Sequence, residues 1–206
     1  MSEHITIDRA KTIMGDNFIG VEELEKISWL KINEIQPVPE IPFTEEELTR
    51  KNDDYLLIFG VGLLADGRKL TIRNLQTIFG KNPDVEEPCF YNQDWYDKEE
   101  FIDIQMPTGW FLIRKNVYED SRAVLPTELL NTYRFPSAIK CTYAFFVAWL
   151  TRDIKLWCHD FVWCCDTDHN GDRIYVGKYH DIDGVNKNGF SIHRHLALRP
   201  CYGCVD

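Results

Sequence analysis

The sequence has no stretch dense in lysine and arginine. Its 206 residues contain 23 Lys and Arg against 33 Asp and Glu, which gives a formal net charge of −10. A chain of this charge is repelled by phosphate backbones and by anionic lipid unless a local basic patch overrides the repulsion. We therefore expect no nucleic acid and no membrane among its partners.

A long apolar segment is also missing. The longest apolar stretch, 138–150, includes Lys140 and falls short of the ~20 residues that a membrane span requires. The start, Met1-Ser2-Glu3-His4, has neither the cationic nor the apolar part of a secretory signal. The seven cysteines are an odd number, and in a chain that is not exported the thiols stay reduced. These absences predict a cytoplasmic protein without disulfide bonds.

Familiar catalytic signatures are absent as well. We find no Ser-His-Asp order, no Walker loop and no zincin motif. Gly60-Val61-Gly62 lacks the third glycine of a dinucleotide-binding loop. No sequence motif therefore supports an enzyme.

The composition is that of an ordered globular protein. Hydrophobic residues make up 44% and charged residues 27% of the chain, far from the composition of disordered segments. We predict a helical amino-terminal segment over residues 1–52 that ends in a proline-rich linker, followed by an α+β domain over residues 53–206.

Periodicity predicts the elements of this fold. Helices are expected over 20–32, from the cap at Thr44 to about Lys51, and from the cap at Thr71 to Gly80. Asp97 and Glu100 are expected to cap a further short helix. Pro126 to Leu130 reads as a helical turn, and Pro136 is well placed as the first residue of a central helix over 138–150. Strands are expected over 55–64 and 109–115.

Three runs rich in aromatic and β-branched residues close the chain, over 156–165, 173–180 and 190–199. Turn-forming segments separate them, so they predict an antiparallel three-stranded meander. Because the helix over 138–150 is apolar nearly all round, we expect the meander to pack on it. The predicted fold class is α+β with an antiparallel sheet.

The first connection of the meander has the front half of a calcium loop. Asp166, Asp168 and Asn170 occupy its first, third and fifth positions, Gly171 the sixth, and Asp172 follows. Calcium prefers such oxygen ligands on a tightly curved backbone. The twelfth position is glycine rather than glutamate, and Asp and Asn also form turns through local hydrogen bonds. Both a calcium site and ordinary turn chemistry stay open.

The last predicted strand places His193, His195 and Arg199 on one face. Two histidines two residues apart on a strand bind one metal ion or flank an anion. With Cys201 and Cys204 just downstream, zinc is a second candidate metal after calcium.

On the other face of that strand lies Arg194, among apolar residues. A buried guanidinium must be paired with a carboxylate, because an unpaired buried charge costs several kcal/mol. We expect Asp160, which also lies within a strand, to be its structural ion-pair partner.

Asp94 and Trp95 lie beside Tyr91 and Tyr96 in a polar and aromatic stretch with no clear period. An aromatic face beside a carboxylate suits a polyhydroxylated ligand or a base, although aromatic residues pack cores more often. We retain both residues as candidate ligand-binding residues.

Several segments of the meander resemble the closing strands of C-type-lectin-like domains. They are Val162-Trp163-Cys164-Cys165-Asp166, Arg173-Ile174-Tyr175-Val176-Gly177, Gly189-Phe190-Ser191 and Leu196-Ala197-Leu198-Arg199-Pro200. The resemblance implies a mixed helix and strand fold that binds ligands or proteins. The chain as a whole also resembles an uncharacterised bacterial protein family, which implies no activity.

Two hypotheses for function follow. The first is a soluble intracellular domain that binds a small molecule or a protein, with a cation at Asp166, Asp168 and Asn170. The second is an enzyme that acts on a small polar or anionic substrate in a pocket formed by His193, His195 and Arg199, with histidine as acid, base or ligand. An enzyme predicts a concave pocket in which a carboxylate lies beside the histidines.

Overall fold

The computed structural model describes residues 5–32, 37–82, 87–178, 189–194 and 198–206. The α-helices in these ranges are α1 (Ile7–Met14), α2 (Val21–Leu24), α3 (Glu45–Lys51), α4 (Ile72–Phe79), α5 (Pro126–Leu129) and α6 (Ala138–Arg152). The strands are β1 (Phe18–Ile19), β2 (Tyr55–Gly60), β3 (Gly109–Arg114), β4 (Phe161–Thr167), β5 (Arg173–Gly177), β6 (Ser191–His193) and β7 (Tyr202–Gly203).

The strands form two sheets. In the amino-terminal sheet the order is β1-β2-β3, with β1 parallel and β3 antiparallel to β2. In the carboxy-terminal sheet the order is β6-β5-β4-β7. Its first three strands are antiparallel neighbours, whereas β7 pairs in parallel with β4. The predicted α+β class and the three-stranded meander are confirmed, but the sequence patterns predicted neither the two parallel pairings nor β1 and β7.

Helix α6 packs between the two sheets. Ten of its 15 residues are buried. The Tyr143 hydroxyl donates a hydrogen bond of 3.0 Å to the Phe59 carbonyl of β2. Phe146 stacks on Phe79 of α4 with ring centroids 3.9 Å apart. The predicted central helix is confirmed.

The first residue of α6 differs from the prediction. Ser137, not Pro136, is the capping residue, and its hydroxyl accepts from the Lys140 N–H. The Ala138 N–H donates to the Asp166 carboxylate over 2.6 Å. Pro136 therefore precedes the helix, because two side-chain acceptors fix where the first helical N–H groups lie.

The helix expected over 20–32 is short. Only α2, residues Val21–Leu24, is helical. Its Glu23 side chain accepts a hydrogen bond from the Gly20 N–H. Beyond α2 the chain forms turns, and Leu30 forms a β-bridge with Leu64. Leu24, Ile27 and Leu30 are buried at their apolar positions. Tertiary pairing has therefore replaced the helix without changing which side chains are buried.

The other predicted helices agree with the structure except one. Thr44 and Thr71 cap α3 and α4 through their hydroxyls, and Gly80 ends α4 with a positive φ. The exception is the short helix expected after Asp97. The structure has a 3-10 helix at Glu100–Asp103 with no side-chain cap, and Asp97 binds Lys81 instead.

Residues on both sides of the predicted boundary at residue 52 contribute to one core. Met14, Phe18 and Leu48 belong to the same buried cluster as Leu57 and Val147. Strand β1 also pairs directly with β2 across this boundary.

Within the described ranges, no helix combines the length and the hydropathy that crossing a bilayer would need.

Tyr143→Phe tests the contact between α6 and β2. Removing the buried hydroxyl deletes its bond to the Phe59 carbonyl, so we expect the free energy of unfolding to fall by about 1–2 kcal/mol in urea denaturation. Tyr133→Phe is the matched control, because the Tyr133 hydroxyl binds the exposed Asp120 carboxylate. Equal losses in the two variants would contradict the anchoring role of Tyr143.

Candidate functional site

A cavity of about 350 Å³ lies on the outer face of the carboxy-terminal sheet, the face turned away from α6. All four strands of that sheet contribute to it, together with one residue from the segment between α4 and β3 and one from the loop before β7. The lining residues are Tyr91, Phe161, Tyr175, Ser191, His193, Arg199 and Tyr202.

Strand alternation explains why these residues meet. In β4, Val162 and Cys164 are buried in the core that includes α6, so Phe161 and Trp163 lie on the outer face. In β6, Ile192 is buried in the same core as α6. Its neighbours in sequence therefore point outward and line the cavity, as the alternation predicts for a two-sided sheet.

The aromatic rings of the outer face pack against one another. His193 stacks on Tyr175, with centroids 5.5 Å apart and an interplanar angle of 20°. Phe161 is edge-on to His193 at 5.2 Å and to Tyr202 at 5.5 Å. Tyr175 and Tyr202 are 4.7 Å apart. These mutual contacts fix the rings, so the cavity has a preformed aromatic wall.

His193 is an uncharged imidazole near neutral pH. Burial lowers its pKa from 6.5 to about 4. Its Nδ1 lies 3.4 Å from Nε2 of Gln93. Gln93 does not line the cavity, and its contact with Nδ1 leaves Nε2 as the ring nitrogen that Gln93 does not occupy.

Arg199 supplies the positive charge of the cavity. Its side chain is exposed, and among the described residues it forms no salt bridge. Burial raises the pKa of Tyr175, and the positive charge of Arg199, which lines the same cavity, acts in the opposite direction. None of the seven lining residues is acidic. The cavity therefore combines an apolar wall with hydroxyl, imidazole and guanidinium groups.

The segment over 89–95 covers the open edge of the sheet. The Ile192 N–H donates to Oε1 of Gln93 over 3.1 Å, and the Ile192 carbonyl accepts from the Trp95 indole over 3.0 Å. The Tyr91 N–H donates to the Phe190 carbonyl. Side chains thus occupy backbone groups that an edge strand would otherwise expose.

Of the residues predicted for a His and Arg pocket, His193 and Arg199 line the same cavity. His195 lies outside the described residues. Asp94 is exposed and does not line the cavity. Trp95 does not line it either, because its indole N–H binds Ile192 and its ring lies under the Arg194 guanidinium at 4.7 Å.

The sequence patterns did not identify Phe161, Tyr175, Ser191 and Tyr202 as site residues, whereas Tyr91 was expected only as a neighbour of Asp94 and Trp95. Period-two alternation could have found the strand residues. It places Phe161 on the face opposite to that of Val162, and it places Ser191 on the same face as His193. Tyr91 could not be found in this way, since it lies in a segment without any period.

The predicted ion pair between Arg194 and Asp160 is wrong. Arg194 Nη1 lies 2.7 Å from the Asp168 carboxylate and 3.6 Å from Glu99. Asp160 binds Arg122 instead, at 2.7 Å. The register explains this: β6 runs so that Arg194 approaches the turn between β4 and β5, whereas Asp160 precedes the other end of β4. The requirement for a carboxylate partner was correct.

The oxygens of the predicted calcium loop do not converge. Asp166 accepts the Ala138 N–H of α6. Asp168 accepts the backbone N–H groups of Asn170 and Asp172 and the guanidinium of Arg194. Burial acts to raise the pKa of Asp168, but Arg194 and the two N–H groups outweigh it and hold this pKa below its usual range. Local hydrogen bonds of a turn therefore hold the loop, and the Arg194 guanidinium binds Asp168 where a metal cation was expected.

A different set of potential ligand atoms does come together. Among the described residues, Glu99, Asp168 and His169 place one ligand atom each within 4.8 Å of one another. Glu99 already accepts from His169 Nδ1 at 2.7 Å, and Arg194 supplies positive charge to both carboxylates. These ligand atoms are therefore satisfied by internal partners.

Cys201 and Cys204 belong to no such group within the described part of the chain. Cys204 is fully buried in the aromatic cluster of the outer face, and burial raises its pKa to about 11. The zinc alternative that includes His195 lies partly outside the described residues.

Comparison with protein-family models, with curated proteins and with solved structures gives no match for this chain. The similarity to C-type-lectin-like domains therefore stays a prediction from the sequence.

Arg194→Met tests the ion cluster. The substitution leaves the Asp168 side chain, which is 0% exposed, and the Glu99 side chain, which is 5% exposed, without their cation. We expect the free energy of unfolding to fall by about 2–4 kcal/mol. This loss is smaller than for a fully buried ion pair, because water reaches the partly exposed arginine. Arg73→Met is the control, since its pair with Asp103 is about half exposed and is worth about 0–1 kcal/mol. Losses of similar size would refute a structural role for Arg194.

The lowered pKa of His193 predicts that the stability of the fold changes with pH. Because its folded pKa of about 4 lies below the unfolded 6.5, the unfolded chain binds the extra proton first. The contribution is present above pH 6.5 and is lost as the pH falls from 6.5 to 4, by about 3 kcal/mol at most. His193→Phe keeps a ring on Tyr175 and should remove this part of the slope. Urea denaturation between pH 7 and 4.5 measures both proteins, and identical slopes would contradict the assignment.

Proposed function

We propose that this chain binds a small molecule with a flat apolar part, in the cavity on the outer face of the carboxy-terminal sheet. The observation that carries this proposal is the row of rings from β4, β5, β6 and β7 that borders an open cavity. Ligand pockets are usually concave, mainly apolar and aromatic, with a few convergent polar groups. The volume of about 350 Å³ is at the small end of the usual range, which favours a compact ligand.

Preorganisation supports binding at this place. Phe161, Tyr175 and Tyr202 are each at most 8% exposed and hold one another by edge and tilted contacts. Two strand registers fix their backbones, Tyr175 opposite His193 and Phe161 opposite Tyr202. A ligand that stacks here meets a wall that is already ordered, so little side-chain entropy is lost on binding.

The chemistry of the cavity favours a binding protein over an enzyme. The enzyme hypothesis required a carboxylate beside His193, and none of the described lining residues is acidic. With a pKa of about 4, the imidazole is also a weak general base near neutral pH. The partner is accordingly a small molecule that the protein holds without changing it.

Three one-ring probes test this function: benzoate, benzamide and benzylamine. We expect at least one of them, at millimolar concentration, to shift the aromatic NMR resonances of Phe161, Tyr175 and His193. Tyr91→Ala removes a half-buried ring from the cavity wall, and should weaken that binding by about 3–10-fold, which corresponds to ~0.5–1.5 kcal/mol for one aromatic contact.

Trp29→Ala is the control for this substitution. Trp29 is also half-buried, but it packs on Phe79 and does not line the cavity. Its loss should leave probe affinity unchanged. If none of the three probes moves the cavity resonances, or if both variants weaken binding alike, the proposed function is wrong.

A further inference from the structure

We infer that the polar part of the ligand is an anionic acceptor such as a carboxylate, held by the Nε2–H of His193 and by the guanidinium of Arg199. This inference rests on the proposed function and adds the chemical class of the ligand. It depends on which nitrogen of His193 carries the proton, and the hydrogen bonds of Gln93 decide that.

The orientation of the Gln93 amide follows from its first contact. A backbone N–H can only donate, so the Gln93 atom that lies 3.1 Å from the Ile192 N–H must be the oxygen. The amide nitrogen then faces the imidazole, 3.4 Å from Nδ1 of His193. An amide NH₂ only donates, so Nδ1 is the acceptor and carries no proton.

The proton of the neutral imidazole must then lie on Nε2. A neutral imidazole carries one N–H and one acceptor nitrogen, and Gln93 occupies the acceptor. His193 therefore presents an N–H donor to the cavity. Without Gln93, an uncharged histidine could present either a donor or an acceptor there.

Arg199 also requires a hydrogen-bond acceptor on the ligand. A guanidinium has donors only and carries a full positive charge. A charge-assisted hydrogen bond to a carboxylate is about twice as strong as a neutral one. Because the chain as a whole carries −10, a site for an anion must supply its own positive charge. The cavity has Arg199, and no acidic residue is among its described lining residues.

The same polar groups disfavour a cation. Aromatic walls can hold an ammonium group by cation–π attraction. Here a positive ligand would meet the charge of Arg199 and the N–H of His193, and would find no carboxylate among the described lining residues. The rings therefore serve as an apolar wall for the body of the ligand rather than as a cage for a cation.

The three probes have the same size and differ in charge. We expect benzoate to bind at least about tenfold more tightly than benzamide, and benzylamine, which is protonated at neutral pH, to bind most weakly. Arg199→Gln should remove most of the preference for benzoate. Arg50→Gln, an exposed arginine on α3, is the control for the same change in net charge and should keep it.

His193→Phe separates the imidazole donor from the ring. It retains an aromatic side chain on Tyr175 but has no N–H. The preference for benzoate over benzamide should therefore fall, but by less than in Arg199→Gln, because the guanidinium charge remains and the benzamide carbonyl loses the same donor. Binding of benzamide or benzylamine as tightly as benzoate would overturn the anion inference and leave the proposed function standing. Binding of no probe would refute the proposed function itself.

Long-range ¹H–¹⁵N NMR of the imidazole tests the positioning role of Gln93 without any ligand. We expect an unprotonated Nδ1 and a protonated Nε2 in the unaltered protein. Gln93→Glu keeps an acceptor for the Ile192 N–H but places a second acceptor at Nδ1, so the proton should appear on Nδ1. A purely structural glutamine would not move this signal. A protonated Nδ1 in the unaltered protein, or an unprotonated Nδ1 in the variant, would refute the assignment.

Discussion

The burial of α6 on nearly every side is the constraint on which the rest of the structure depends. An apolar helix of this kind is stable only when neighbouring elements cover it all round. The amino-terminal sheet covers it at β2, where Phe59 accepts from Tyr143, and the carboxy-terminal sheet covers it with Val162, Ile174 and other inward residues. The start of the helix also binds the carboxylate of Asp166, which accepts the Ala138 N–H and so ties the end of β4 to α6.

Packing one face of the carboxy-terminal sheet on α6 determines what its other face can be. Every second residue must point outward, and four adjacent strands place aromatic or imidazole rings there. In the described part of the chain, the edge of this sheet at β6 is covered by the segment over 89–95, through a backbone bridge at Phe90 and through side chains. Gln93 and Trp95 occupy the backbone groups of Ile192, and the same Gln93 then reaches His193. Protection of the edge and orientation of the imidazole thus come from one residue.

Sequence patterns predicted those parts of the fold that depend on local chemistry. Thr44 and Thr71 cap helices, and the long apolar run forms the central helix. Both features depend on residues that are close together in the sequence. Pairings between distant residues could not be predicted in this way. The partner of Arg194 depends on strand register, and β7 is two residues long. In the site, His193 and Arg199 were found from one strand, whereas Gln93 acts across about 100 residues of sequence and carries no pattern of its own.

Two polar centres of this protein differ in whether their charges are already neutralised. Around Arg194, two buried carboxylates and a guanidinium satisfy one another, and the N–H groups of the turn complete their hydrogen bonds. A centre with complete internal partners holds the β4–β5 turn on β6 and has little to offer a ligand. In the cavity, the guanidinium of Arg199 and the distal nitrogen of His193 have no such partners among the described residues, although the surrounding rings are firmly packed. Binding sites usually combine fixed apolar walls with a few polar groups. This difference is why we propose the cavity, and not the Arg194 cluster, as the binding site.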